Sequence, residues 1–407
     1  MSNALSHVTV LDLSRVLAGP LAGQVLADLG AEVIKIERPG AGDDTRGWGP
    51  PFLRNIDGGD SADAAYYLCA NRNKKSVTVD FTAPEGRSII RDLARKSDVV
   101  LENFKCGGLK AYGLDYESLR SVNPRLIYCS ITGFGQTGPY AARAGYDLLV
   151  QAMGGLMSIT GRPDGEAGAG PQKAGVAVTD ILTGLYASIG ILAALAHRER
   201  SGVGQRIDLS LLDVQVACLA NQAMNYLVSG AVPQRTGNAH PNLVPYQDFP
   251  TSDGHMIIAA GNDAQFARLC AVMGVAQLAD DPLYHTNKQR VMNRRALIDT
   301  LSAITATRPT ASWVAALEAV GVPAGPINDL EAVFADPQVR ARNMRINMPH
   351  PVAGTVPLVA NPLRLSQTPV TYRSAPPPLG AQTREVLTER LGLSAADFDA
   401  LRAKGII

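Results

Sequence analysis

Asp180 heads a stretch, GVAVTDILTGLYASIGILAAL from Gly175, that is otherwise apolar and built of small residues. Two chemistries suit an acidic residue there. An oxygen of Thr179 or Asp180 can cap the first turn of a helix, whose leading N–H groups lack partners and whose N-terminus favours negative charge. Alternatively, Asp180 is a nucleophile at the edge of a cavity, kept ionised by that same N-terminal field. Cations form a second set: Arg15, Arg38, Lys74, Lys75, Lys105 and Arg143 fall near strand ends, where arginine forks match phosphate oxygens. Together they suit an anionic, nucleotide-like ligand. The six histidines sit in no GxSxG elbow or HExxH helix, so hydrolase and metalloenzyme readings lack support. His240, in NAHPNLVPY, is the best histidine candidate for a site.

These groups need a frame to hold them. HVTVLDLS (7–14) reads as a strand, PLAGQVLADLG (20–30) as a helix stopped by glycine, and AEVIKIE (31–37) as a second strand. Further strands are expected at 76–81, 98–104, 125–131 and 204–210, with helices at 84–97 and 116–124. Nearly continuous apolar strands alternating with helices predict an α/β fold, a doubly wound, mostly parallel, Rossmann-like sheet covered on both faces. The turn after the first strand, SRVLAGPLAG, lacks GxGxxG, so Glu37 at the end of the second strand does not make a dinucleotide site. Pro20 there is a good helix start.

Residues 161–175 (GRPDGEAGAGPQKAG) predict a mobile surface loop leading into Asp180. The apolar run 181–196 is shorter than a bilayer span of roughly 20 residues and reads as a buried helix. Residues 211–230 predict one long amphipathic helix, and the proline-rich 231–255 a linker. The expected domains are 1–224, a large α/β unit; 225–330, a smaller α+β domain; and 331–407, a segment returning to the first.

The bulk numbers exclude several classes. Lys plus Arg (38) balances Asp plus Glu (37) in 407 residues, so no overall field draws in nucleic acid or a membrane surface. Five scattered cysteines without CxxC spacing argue against disulfides or zinc, and no metal site is expected. The N-terminus lacks a basic and apolar leader, which with the cysteines predicts a cytoplasmic protein.

Nine segments taken in order resemble the class III CoA-transferases of the formyl-CoA and carnitine types. They include VLDLSRVLAGPLAGQVLADLGAEVIKIERPGAGD, NPRLIYCSITGFGQTGP, GVAVTDILTGLYASIGILAAL and DPQVRARNM. The resemblance implies Asp180 as the catalytic residue, forming an aspartyl anhydride and then an aspartyl-CoA thioester; the small size of Gly175, Ala177 and Gly184 is expected to leave room for that thioester. It implies that coenzyme A, as substrate and with no further cofactor, lies against Val16, Leu17, Ala18, Arg38, Val79 to Thr82, Asn103, Phe104 and Lys105, with Arg143, Tyr146 and Asp147 nearer the pantetheine. Two departures stand out: Thr82 occupies a place where relatives often carry lysine, and the arginine expected after ENF falls near Ala111, leaving Lys105 or Lys110 to supply that charge. The partners implied are acyl-CoA and small carboxylic acids, and the assembly an interlocked, ring-like homodimer.

The run RTGNAHPNLVPYQDFPTSDG looks like the branch that uses succinyl-CoA and dicarboxylates, with Arg235 or His240 pairing with the distal carboxylate. Backbone N–H groups of Gly261 and Asn262, or of the loop before Asp180, could stabilise an oxyanion. The same family contains 2-methylacyl-CoA racemases, whose GHD histidine is replaced here by Tyr146 in GYD. Tyrosine, with an ordinary pKa near about 10, is a poor base at neutral pH, which favours the transferase. A CoA-binding protein without catalysis is the third alternative.

Overall fold

The computed structural model describes residues 3–407. Strands β1 (Thr9–Asp12), β2 (Glu32–Glu37), β3 (Lys74–Thr78), β4 (Val99–Glu102), β5 (Ile127–Thr132) and β6 (Arg206–Ser210) form one sheet in the order β3-β2-β1-β4-β5-β6. Every neighbouring pair is parallel, with Val10 of β1 facing Val33 on one side and Val99 on the other. These are the six strands expected from the sequence, most of them shorter; β3 starts two residues before its expected 76 and β5 ends one residue past its expected 131.

Because side chains alternate across a strand, the sheet feeds two cores. Val10, Val33, Val99, Leu101 and Ile131 meet α1 (Ala18–Asp28) and the long helix Val178–Ser201 on one face. Leu11, Ile34, Val77 and Val100 meet α2 (Pro84–Arg95) and C-terminal residues such as Val386 on the other. Helix α3 is Asp147–Met153, α4 is Val178–Ser201, α5 is Leu211–Ala217 and α6 is Ala220–Ser229.

Two helical expectations need correction. The run after β6 is two helices, broken where Ala220 takes φ +44°, a conformation no α-helix continues through. Helix α4 is only half buried: Ala187, Ile191 and Ala194 pack into the core while Leu185, Tyr186 and Ile189 are exposed. Its 24 residues are long and apolar enough to span a bilayer by length and composition. Core packing of its small-residue face accounts for part of that apolarity. Gly184 is needed there, since a Cβ would sit 2.7 Å from the Ala18 carbonyl oxygen of α1.

The chain divides into two compact units. The sheet belongs to the first, with residues 174–228 and 338–407. The second comprises 157–173 and 229–337. In it β7 (Tyr246–Thr251), β8 (Gly254–Ala259) and β9 (Ala324–Pro326) form an antiparallel sheet over a core of Phe249, Met256, Phe266, Leu297 and Trp313.

Within the first unit, buried charges hold the ends of β1, β2 and β3. Lys35 donates to Asp43 (2.8 Å) and to the Ser14 carbonyl (2.9 Å); Lys74 donates to Asp12 (3.0 Å), Asn71 and the Pro20 carbonyl. Burial opposes the charge on Asp43, yet Lys35 holds its carboxyl down at about 2. Burial pulls the Lys74 ammonium down to about 8, with Asp12 acting against it. Arg46 grips Glu37 through two nitrogens (2.8 and 2.7 Å) and also reaches Asp63, Tyr67 and the Pro377 carbonyl. Removing one partner of such a pair strands a buried charge, at a cost of about 3–5 kcal/mol. Arg46→Met is therefore expected to lower stability by that amount in urea unfolding and Arg46→Lys, which loses the bidentate grip, by less; an unchanged midpoint for Arg46→Met would contradict this.

Candidate active site

The chain runs outward from β1 to β2 and β3, then returns to lay β4 on the other side of β1. At such a switch point the loops leaving adjacent strands diverge and open a crevice. A groove of about 480 Å³ lies there, walled by Arg15–Ala18 after β1 and Asn103–Cys106 after β4, together with Thr132, Gly133, Arg143, Tyr146 and Asp180.

The walls are tied together. Asn103 accepts from the Arg15 N–H (2.9 Å) and donates to the Arg15 carbonyl (2.6 Å), clasping the backbone of one residue across the switch point. Val16 sits at φ +71°, a strained setting for a β-branched residue, and its N–H donates to Asp43 (3.2 Å). The Lys35–Asp43 pair thus anchors the wall from beneath. On the other side Gly133 and Gly145 lie back to back: a Cβ on either would come within 2.6 Å of the other's Cα.

Helix α4 begins without a cap of its own, because its N-cap residue is Ala177. The cap comes from α3. Asp147 Oδ1 accepts from the N–H groups of Thr179 (2.9 Å) and Asp180 (3.2 Å), and Oδ2 accepts from Gln151 (2.5 Å). Gln151 in turn accepts from the Ala174 N–H (2.9 Å), while the Thr179 hydroxyl donates to Gln215 (2.6 Å). Neither Thr179 nor Asp180 caps the helix, and the Asp180 carboxylate makes no hydrogen bond or ion pair among the described residues. Burial, then the charge of Asp147, pushes its carboxyl up to about 7. The expectation that the N-terminal field keeps Asp180 ionised needs correction, since the leading N–H groups are spent on Asp147. Tyr66 stands nearby: burial and Asp180 push its phenol up to about 12, so it stays a proton donor.

Val16, Leu17, Ala18, Thr82, Asn103, Phe104, Lys105, Arg143 and Tyr146 all line the groove with Asp180. Arg38 lines a smaller cavity of about 180 Å³ that shares Arg15, Phe81, Thr82 and Phe104 with it. Val79 is 1% exposed, its side chain committed to the core, and Asp147 is committed to the start of α4. Lys74 is buried on Asp12, and Lys75 pairs with Glu32 and Glu385, so neither serves the groove. The sequence reading missed Tyr66 and Gln215, which lie in no recognisable motif, and Gln151, which lies within the family-like segment GYDLLVQAMGG but was given no role.

Arg235, His240, Gly261 and Asn262 belong to the second unit. Arg235 pairs with Asp164; His240 Nδ1 accepts from the Asn242 N–H (3.0 Å), and its ring lies 5.2 Å from that of Tyr246. The Gly261 N–H donates to Gln265 (2.8 Å) and the Asn262 side chain caps the helix Asp263–Val272. That glycine N–H is engaged already and is not open to an oxyanion.

The sequence profile of CoA-transferase family III matches residues 5–383. The chain belongs to this family. It is 55% identical over 385 residues to a succinate–glutarate CoA-transferase of Agrobacterium fabrum, covering 95% of each chain. It is 46% identical to a succinyl-CoA:glutarate CoA-transferase of Mus musculus, covering 99% of this chain and 90% of that one. Among solved structures, a CAIB/BAIF family protein from Brucella suis superposes with a TM-score of 0.84 at 50% identity, covering 96% of this chain and 100% of the other.

For this family III enzyme, the position of Asp180 predicts an unusual titration. In ¹³C NMR of aspartate-labelled protein, the carboxyl resonance absent from Asp180→Asn is expected to titrate near pH 7, neutral below and ionised above; a midpoint near 4 would contradict it.

Proposed function

We propose that this CoA-transferase moves CoA from succinyl-CoA to a dicarboxylic acid of the glutarate type through covalent intermediates on Asp180. The observation that carries this reading is a half-buried carboxylate without a hydrogen-bonding partner, opening on the groove at the switch point. The relatives named for succinyl-CoA and glutarate support the donor and the acceptor class.

Moving CoA between acids requires that the thioester bond never be surrendered to water. An Asp180 oxygen attacks the acyl carbonyl, the C–S bond breaks, and CoA leaves as thiolate from an aspartyl acyl anhydride. The thiolate attacks the aspartyl carbonyl, the C–O bond to the acyl group breaks, and the donor acid leaves as carboxylate. Asp180 now carries CoA as a thioester. The acceptor carboxylate runs the sequence backwards. An ester on serine would be too stable to return readily to a thiol, which is why a carboxylate is wanted.

Arg15, Lys105 and Arg143 along the groove, with Arg38 in the adjoining cavity, suit the phosphates and carboxylates of such substrates. Tyr146, 65% exposed beside the groove, stands where a racemase of the family would carry histidine, and its phenol suits contact more than proton abstraction. The exposed Leu185, Tyr186 and Ile189 of α4 support the homodimer implied by the family resemblance.

Incubation with succinyl-CoA followed by intact-protein mass spectrometry is expected to show CoA bound covalently to the wild-type enzyme and none bound to Asp180→Ala. An adduct that persists in Asp180→Ala, or α-proton exchange without transfer, would overturn the proposal. Because the nucleophile must be ionised, the rate of adduct formation should rise with pH and reach half its maximum near pH 7.

A further inference from the structure

Asp147 does more at the active site than end a helix. Its Oδ1 takes the N–H of Asp180 itself, so a second carboxylate sits one peptide away from the reacting one. Three N–H donors converge on it, from Thr179, Asp180 and Gln151, which matches the acceptor-only valence of a carboxylate. Asp180 receives no compensating partner of its own. The other polar or charged groups around it are Tyr66, whose phenol feels both carboxylates, and Arg143 and Tyr146 on the groove wall. The guanidinium of Arg143 packs over the rings of Phe134 (5.2 Å) and Tyr140 (4.6 Å). The segments contributed by α1 and α5 bring Leu17, Ala18 and Leu211, which carry no charge.

This arrangement acts unequally on the two states of the enzyme. Loading exchanges an aspartate anion and an acyl-CoA for an aspartyl thioester and a free carboxylate. The bond to sulfur passes from the acyl carbon to the aspartyl carbon, and the negative charge passes from Asp180 to an acid released into water. A neighbouring negative charge penalises the free enzyme and leaves the loaded one untouched.

We propose that Asp147 is a positioning residue that also sets the loading equilibrium: it holds Asp180 at the head of α4 and, as a fixed like charge, biases the enzyme toward its CoA-carrying form. This rests on the reading of Asp180 as nucleophile. Resting enzyme in the presence of succinyl-CoA then stands charged with CoA, awaiting an acceptor acid.

The test uses the full chain equilibrated with succinyl-CoA and succinate at a series of fixed ratios, quenched and read by intact mass. Asp147→Asn keeps an oxygen for the N–H groups of Thr179 and Asp180 and removes the charge. It is expected to need a succinyl-CoA to succinate ratio about tenfold higher for half loading, the size of effect a near like charge has on a carboxylate. Its midpoint for the rate of adduct formation should also move below that of the wild type. A residue that only caps the helix would slow loading and unloading together and leave the half-loading ratio where it was, and that result overturns the proposal. Asp147→Ser, neutral and able to accept, is the second variant; if both fail to fold by circular dichroism, residue 147 is assigned to the fold alone and the proposal falls. Failure of the underlying reading looks different: no adduct forms on the wild type, or one forms on Asp180→Ala.

Discussion

Lys35 lies beneath the carboxyl end of the sheet with no access to water, and the groove depends on how its charge is met. Its partner Asp43 comes from the loop after β2, and the other oxygen of that carboxylate fixes Thr45 and the N–H of Val16. A buried ammonium without its carboxylate is so unfavourable that the loop has little freedom to leave. Val16 can therefore hold a backbone conformation that its side chain resists, and the wall of the groove between β1 and β4 follows from it. Asn103 finishes the work from the opposite strand by gripping the backbone of the neighbouring Arg15 on both sides. The apolar cores set where the strands lie; the ionic layer sets how their loops leave.

The same economy of charge governs Asp180. An ordinary surface aspartate ionises near pH 4 and is a weak nucleophile toward a thioester because water and neighbouring donors stabilise its anion. Here the donors at the head of α4 are taken by Asp147, and burial removes much of the water. The anion that remains is basic. The proposed role of Asp180 as nucleophile draws on this, since a carboxylate made basic in this way is more nucleophilic than a solvated one.

Much of this was legible in the sequence. Apolar strands such as VTVLD and VVLE alternate with helices so regularly that the six strands could be assigned, and their order in the sheet follows the doubly wound pattern. The groove-lining residues were legible through the ordered family segments and because ligand crevices in such sheets open at strand ends. What stayed hidden were relations between distant residues. Nothing local in GYD tells that Asp147 will reach the head of a helix that begins 31 residues later, or that Tyr66 will stand beside Asp180. Lys74 read as a cation at a strand end, but it begins β3 rather than ending it, and that polarity buries it on Asp12. The half-exposed face of α4 was hidden for another reason: a stretch apolar all round reads as buried whichever side the core claims.

The back-to-back glycines at 133 and 145 have a mechanical meaning. With Cα against Cα, the strand that ends at Thr132 and the segment that carries Tyr146 and Asp147 touch through bare backbone, with no side chain between them to act as a cushion. Side-chain contacts can absorb a shift by changing rotamer; a backbone contact transmits it. A displacement at the end of β5 would pass through that joint to α3 and on to the head of α4, so the Asp180 carboxylate takes its address from the sheet through a rigid linkage.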